Sequence, residues 1–317
     1  MNASSAPHRP NLFIVGAPKC GTTAWVEFLR THPDIFFPKT KEDCFFALDL
    51  PGFRAVRSEA EYSMLFADSG SAKIRGEASV MYLFSEAAAG AIRDYNPDGK
   101  ILIFLRDQEA FLPSLHNQFL QEFSEEIEDF ETAWRLSGRR PPNAIPPACL
   151  EPRTLDYAAM GRFSKQIARY LIAFPPEQVR VIRFQDWVAD PRATYLEILD
   201  FLELEDDGRL DFSPVNEGGA YRSRRLVRSI LFPPIWVRRS VRLLKRATGL
   251  RGQGIYPLMH RIVRSLTAPG YKNEIDPGLR DEIKRFYAED NRRLSELLAS
   301  HSRPRSEFSP VGCRDQA

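Results

Sequence analysis

Three groups of residues in this sequence have types and spacings suited to chemistry on an oxyanion. The first is the loop Gly16-Ala17-Pro18-Lys19-Cys20-Gly21-Thr22-Thr23. Its glycines stand five apart, which lets backbone N–H groups curl around a phosphate-like group, and Lys19 and two threonine hydroxyls stand ready beside it. The same glycine spacing also suits an ordinary turn between a strand and a helix. The second group is Arg106 with Ser114 eight residues later. A guanidinium forks onto phosphate, and Ser114 adds a hydroxyl; an ion pair between Arg106 and Asp107 is the alternative use of that charge. The third is the run Lys41-Glu42-Asp43-Cys44-Phe45-Phe46, in which Glu42 follows Lys19 by 23 residues. Glu42 is the candidate general base, with Asp43 and then His116 as alternatives.

These groups need a frame. Residues 11–15 form an apolar run ending at Gly16, a buried strand. Thr22 and Thr23 open a helix with Trp25, Phe28 and Leu29 on one face, stopping at His32-Pro33. Residues 73–77 suit a short strand, and residues 101–105 a buried one that ends at Arg106. Helices are expected over 109–123, 161–174 and 190–204, a strand over 179–184, and a last helix over 276–299. The acidic, then proline-rich stretch 124–156 reads as a surface excursion. Alternating strands and helices give a mostly parallel sheet with helices on both faces, whose ligands bind at the carboxyl ends of strands. Residues 1–10 form a polar leader and 11–317 a single domain.

Composition narrows the classes. The chain has 317 residues, 43% hydrophobic and 27% charged, enough to bury a core. No apolar stretch approaches the ~20 residues of a spanning helix, and the leader lacks the apolar region of a signal peptide. Cys20, Cys44, Cys149 and Cys313 have neither metal nor redox spacing, so a reducing, cytoplasmic setting and no metal are expected. The net charge of +2 conceals a split. Residues 218–273 hold 13 Lys or Arg and no Asp or Glu, leaving the other 261 residues with 31 basic against 42 acidic. In this belt, arginines flank the apolar centre Ile230-Leu231-Phe232-Pro233-Pro234-Ile235-Trp236-Val237. That layout suits a cap over the cleft that meets an anionic or membrane-borne acceptor better than a nucleic-acid reader.

The loop 16–23, followed by Arg106 and Ser114 at their spacing, resembles the two phosphate-binding motifs of sulfotransferases that use 3′-phosphoadenosine 5′-phosphosulfate (PAPS). The likeness runs over roughly 11–205 and 276–299, and residues 161–184 and 190–204 resemble downstream blocks of bacterial members. It implies a P-loop-like three-layer α/β sandwich and transfer of a sulfuryl group to a hydroxyl, with a carbohydrate or glycolipid as acceptor. Gly16, Ala17, Pro18, Lys19, Cys20, Gly21, Thr22, Thr23, Arg106 and Ser114 would hold the donor, and Lys19 would meet the leaving phosphate. Phe163 falls where related enzymes keep an aromatic, and Trp25 and Phe184 are further candidates to stack on adenine. Lys272 stands in the region of a basic loop of the family. The stretch 41–46 resembles the Glu-x-His-Phe-Phe run of heparan-sulfate enzymes, whose Glu is the proposed base. Cys44 replaces the His, and Ala78 stands where those enzymes often carry a substrate-side Lys. These departures point away from heparan sulfate itself. The expected setting is cytoplasmic, peripheral at the inner membrane surface. A P-loop kinase or NTPase would place Lys after the second glycine, where this chain has Thr22. A non-catalytic protein that binds anionic membrane through the belt is the other alternative.

Overall fold

The computed structural model describes residues 9–213, 219–221, 226–227, 267–269 and 275–301. Leu12, Phe13, Ile14 and Val15 are wholly buried, as residues of a strand covered on both faces must be. They form β1 (Leu12–Gly16), the centre of a five-stranded sheet. β3 (Ile74–Ala78) lies on one side of it and β4 (Lys100–Leu105) on the other, while β2 (Ile35–Phe36) and β5 (Val179–Arg183) form the edges. Every pairing is parallel. The chain runs from β1 to β2 and β3 on one side, then crosses to β4 and β5 on the other. The order therefore reverses between β1 and β4, and the crevice at their carboxyl ends is where such sheets bind ligands. The loop after β1 and Arg106 after β4 flank that point.

Helices surround the sheet. α1 (Thr22–Arg30) follows β1 directly and buries Trp25, Phe28 and Leu29, the face expected from the sequence. After it come α2 (Glu59–Met64), α3 (Ala88–Tyr95), α4 (Gln108–Gln121), α5 (Phe130–Arg135), α6 (Tyr157–Met160) and α7 (Phe163–Ala173). α8 (Phe184–Ala189) leaves β5 without a loop, so Phe184 opens a helix rather than ending the strand. α9 (Pro191–Leu202) begins as expected, with Pro191 in its first turn and the Asp190 carboxylate accepting the Ala193 N–H at 2.8 Å.

The stretch 124–156 departs from a mere surface excursion. Phe130, Ala133 and Trp134, spaced for one face of α5, are buried. Glu125 is also buried and holds Arg140 at 2.6 Å. Prolines and acids dominate the composition there and mask the apolar face. The last helix, α10 (Pro277–His301), packs on α4 and α7. Its Asp290 accepts from the Ser164 N–H at 3.2 Å and hydroxyl at 2.6 Å, fixing the start of α7. Gln108 at the start of α4 donates to Asn291 at 2.9 Å.

The basic belt is rooted in a two-stranded antiparallel ribbon. β6 (Gly219–Tyr221) pairs with β7 (Thr267–Pro269), Gly219 opposite Pro269, so the two ends of the belt meet. Lys272 and the arginines from Arg238 to Arg246 lie outside the described residues. Among the described residues, no helix is long and apolar enough to cross a membrane.

Candidate active site

The loop after β1 is built for close approach. Lys19 has φ 62° and Gly21 φ 84°, both left-handed, and this curls the backbone between them. A Cβ on Gly21 would stand 2.3 Å from Cζ2 of Trp187, so glycine is required there on two counts. The N–H groups of Lys19, Cys20, Gly21 and Thr22 donate to no protein acceptor among the described residues, and α1 begins without a side-chain cap. These are the orphan donors of a helix start, available to an anion. Ala17 differs: its N–H is spent on the Phe104 carbonyl at 2.6 Å, and its side chain is buried. It ties the loop to β4, and its N–H is not among the loop donors left for an anion.

Pro18, Lys19, Gly21, Thr22 and Thr23 line a cleft of about 410 Å³ together with Arg106, Ser114, Lys41, Glu42, Gln118, Phe184 and Trp187. The two motifs separated in sequence thus meet in space. Lys19 and Arg106 are half-buried, and no carboxylate lies within ion-pair distance of either among the described residues. The alternative pairing of Arg106 with Asp107 is not made. Instead, its guanidinium lies 4.6 Å above the Phe184 ring, which fixes its direction. Burial holds the Lys19 ammonium below its ordinary pKa; Glu122 opposes that shift and Arg106 adds to it. Arg106 is likewise lowered by burial. Two cations short of counter-charge raise the affinity of the cleft for an anion. Ser114 and Gln118, one turn apart on α4, add polar groups to the same wall.

Glu42 faces this cleft from a left-handed backbone, φ 66°. Its N–H donates to the Ala78 carbonyl at 3.0 Å, and its Oε2 accepts the Val80 N–H at 2.8 Å. Its Oε1 lies 3.0 Å from Lys41 Nζ. The carboxylate is thereby anchored to the segment after β3, and that segment is pinned to the central strand by Ser79 N–H on Ile14 O at 3.2 Å.

Other candidates are placed elsewhere. Asp43 is buried and faces a small separate cavity with Glu77, Arg30 and Thr40. His116 is fully buried between Phe130 and Tyr157, with Nε2 at 2.8 Å from the Ile127 carbonyl. Neither reaches the cleft, so neither replaces Glu42. Trp25 is a core residue stacked on Phe104. Phe163 is only 2% exposed, packs on Phe111, and lines a neighbouring cavity rather than the cleft. Its place at the start of α7, under α10, puts it in the core. The Cys20 side chain also stays behind the loop, and Gly16 is packed so closely that an added Cβ would stand 2.7 Å from Leu83 Cβ and from the Val80 carbonyl oxygen. Cys20 is wholly buried and contributes its carbonyl, which accepts the Trp187 indole N–H at 3.3 Å. Of the three aromatic candidates, only Phe184 borders the cleft. Trp187 and Lys41 do so as well, and sequence reasoning assigned neither. The signal for Trp187 was its position one turn into α8, and for Lys41 its place beside Glu42.

A phosphate-type loop at the switch point of a parallel sheet, faced by an arginine from the adjacent strand, defines a P-loop-like α/β protein. A family model described as "Sulfotransferase domain" matches residues 9–212, and the chain belongs to that family. The crystal structure of a sulfotransferase from Alicyclobacillus acidocaldarius superposes with a TM-score of 0.66 at 27% identity, covering 93% of this chain and 99% of that one. Carbohydrate sulfotransferase 15 of Rattus norvegicus is 21% identical over 62% of this chain and 44% of its own length. Heparan sulfate glucosamine 3-O-sulfotransferase 3B1 of Homo sapiens is 24% identical over 64% of this chain and 48% of its own. The chain thus spans less than half the length of these curated relatives.

Proposed function

We propose that the protein transfers a sulfuryl group from PAPS to a hydroxyl of a carbohydrate or glycolipid. One observation carries this reading. Lys19 and Arg106, two half-buried cations without ion partners among the described residues, face the same cleft as the loop N–H groups that have no acceptor among those residues and a fixed carboxylate, Glu42. The cleft offers the 5′-phosphosulfate Lys19, the 19–22 amides and the Thr22 and Thr23 hydroxyls. It offers the 3′-phosphate Arg106 and Ser114, and it offers adenine the aromatic wall of Phe184 and Trp187.

The reaction is an in-line displacement. The acceptor oxygen forms a bond to sulfur while the bond from sulfur to the phosphate oxygen breaks, and that oxygen keeps the electron pair. The acceptor proton passes to the Glu42 carboxylate, and 3′-phosphoadenosine 5′-phosphate leaves. Lys19 and the loop amides meet the charge growing on the leaving phosphate. A sulfuryl group carries less charge than a phosphoryl group, and the two protein cations supply the stabilisation that phosphoryl transfer draws from a metal.

The glycan class of acceptor is supported by the names of the curated relatives. A cytoplasmic setting is supported by unpaired thiols at Cys20, Cys44 and Cys149, and the belt suits an acceptor that is anionic or held at a membrane surface. The test is transfer of labelled sulfate from PAPS to a panel of sugars and glycolipids. Glu42→Gln should lose about 10²–10⁴ in turnover with its affinity for the product nucleotide intact. A fully active variant removes Glu42 as the base, and no transfer by the wild type to any hydroxyl rejects the reading.

A further inference from the structure

Lys41 occupies a position that the reaction above does not yet use. Its Nζ lies 3.0 Å from the Thr23 hydroxyl oxygen and 3.0 Å from Glu42 Oε1. Thr23 belongs to the first turn of α1, the end that receives the anion, and Glu42 is the base. The ammonium therefore spans the two halves of the cleft that the sulfuryl group must pass between. Its side chain is 19% exposed and walls the cleft on one side and the small Asp43–Glu77 cavity on the other.

An ammonium has three N–H donors. Two are engaged, by Thr23 and Glu42, and the third has no partner among the described residues. Three negative centres converge here during transfer: the sulfuryl oxygens, the acceptor oxygen as it loses its proton, and Glu42. Lys19 and Arg106 serve the phosphates of the donor and leave this cluster uncompensated. The end of β3 and the segment after it bring no cation of their own to this point, since Ala78 and Val80 are the residues there that bond Glu42.

We infer that Lys41 is a catalytic residue that hydrogen-bonds the sulfuryl group during its transfer and links the donor end of the cleft to Glu42. The inference rests on the sulfuryl-transfer reading. No bond to Lys41 forms or breaks, and it keeps its proton throughout. Its role is to place positive charge where the three negative centres meet. The product nucleotide lacks the sulfuryl group, so Lys41 should matter to turnover and hardly at all to product binding.

Three variants read this out: Lys41→Ala, Lys41→Met, which keeps most of the stem, and Lys41→Arg, which keeps the charge. Each is assayed beside the wild type for kcat, KM for PAPS, calorimetric Kd for 3′-phosphoadenosine 5′-phosphate, and melting temperature. The expected result is a loss of about 10²–10³ in kcat for Ala and Met, a product Kd within about threefold of wild type, and recovery to within about tenfold of wild-type kcat by Arg. Two results overturn the inference: kcat within threefold of wild type in Ala and Met, or a product Kd that rises in step with the fall in kcat. The second would make Lys41 a strut of the phosphate loop. A wild type that binds the product nucleotide but transfers no sulfate would instead reject the transfer reading on which the inference stands.

Discussion

Glu77→Gln should flatten the fall in stability of this protein between mildly acidic and mildly alkaline pH. Glu77 lies one residue before the end of β3, is 2% exposed, and uses one oxygen to accept from the Ser79 hydroxyl at 2.5 Å. Its other oxygen is buried without a partner among the described residues. Burial, with Asp43 and Glu42 nearby, pushes its pKa up to about 8 from an ordinary 4.5. The folded protein therefore holds this proton up to pH 8, whereas the unfolded chain releases it near 4.5. The stabilisation is complete below pH 4.5, declines by ~1.4 kcal/mol per pH unit above it, and is gone above pH 8. From pH 5 to pH 8 that amounts to roughly 3–4 kcal/mol. Gln carries no proton equilibrium and matches the protonated acid in shape, so the variant should equal wild type within about 1 kcal/mol at pH 5. At pH 8 it should exceed wild type by the full difference. Urea unfolding of both proteins at pH 5, 6.5 and 8 gives the comparison. Parallel loss of stability in the two proteins would show that Glu77 does not hold the proton, and the reasoning about its burial would fail.

Other outcomes follow from the cleft. Gly21→Ala forces a methyl into the Trp187 ring at a left-handed backbone, so it should cost about 1–3 kcal/mol by thermal unfolding. It should also weaken product-nucleotide binding at least tenfold in calorimetry. Arg106→Ala would remove the proposed charge-assisted phosphate contact and should weaken the same nucleotide by about 10–10²-fold, while Arg106→Lys recovers part of the loss. Treatment with EDTA should leave sulfate transfer unchanged, because Lys19 and Arg106 supply the charge a metal would bring; loss of activity restored by Mg²⁺ would contradict that.

Most of the frame was legible because its strands are unusually plain. Residues 12–15 and 101–105 are apolar on both faces, as only a covered parallel strand allows, and the glycine loop sits directly after the first. Lys19 and Arg106 were readable because each closely follows a strand, and Ser114 because it lies in the first half of the helix after Arg106, where position along the chain fixes position in space. Most residues farther from strand ends were not. β2 has two residues, Ile35 and Phe36, too few for any period. His116 and Phe163 look available in sequence, yet tertiary packing against Tyr157 and Phe111 makes them core. Trp187 reaches the loop across 167 residues through its bond to the Cys20 carbonyl, a contact no local pattern encodes. Lys41 was visible as a charge beside Glu42, but its contact with Thr23 appears only once α1 and the 41–46 loop are side by side.

Calorimetry shows whether this cleft is made for the sulfate-donor nucleotide. Titration of the protein with 3′-phosphoadenosine 5′-phosphate and with ATP, each with and without Mg²⁺, compares a ligand carrying the 3′-phosphate with one that lacks it. The 3′-phosphate ligand should bind at least tenfold tighter than ATP, without metal, and Arg106→Ala should erase the difference. Tighter binding of ATP, or a requirement for Mg²⁺, would contradict this.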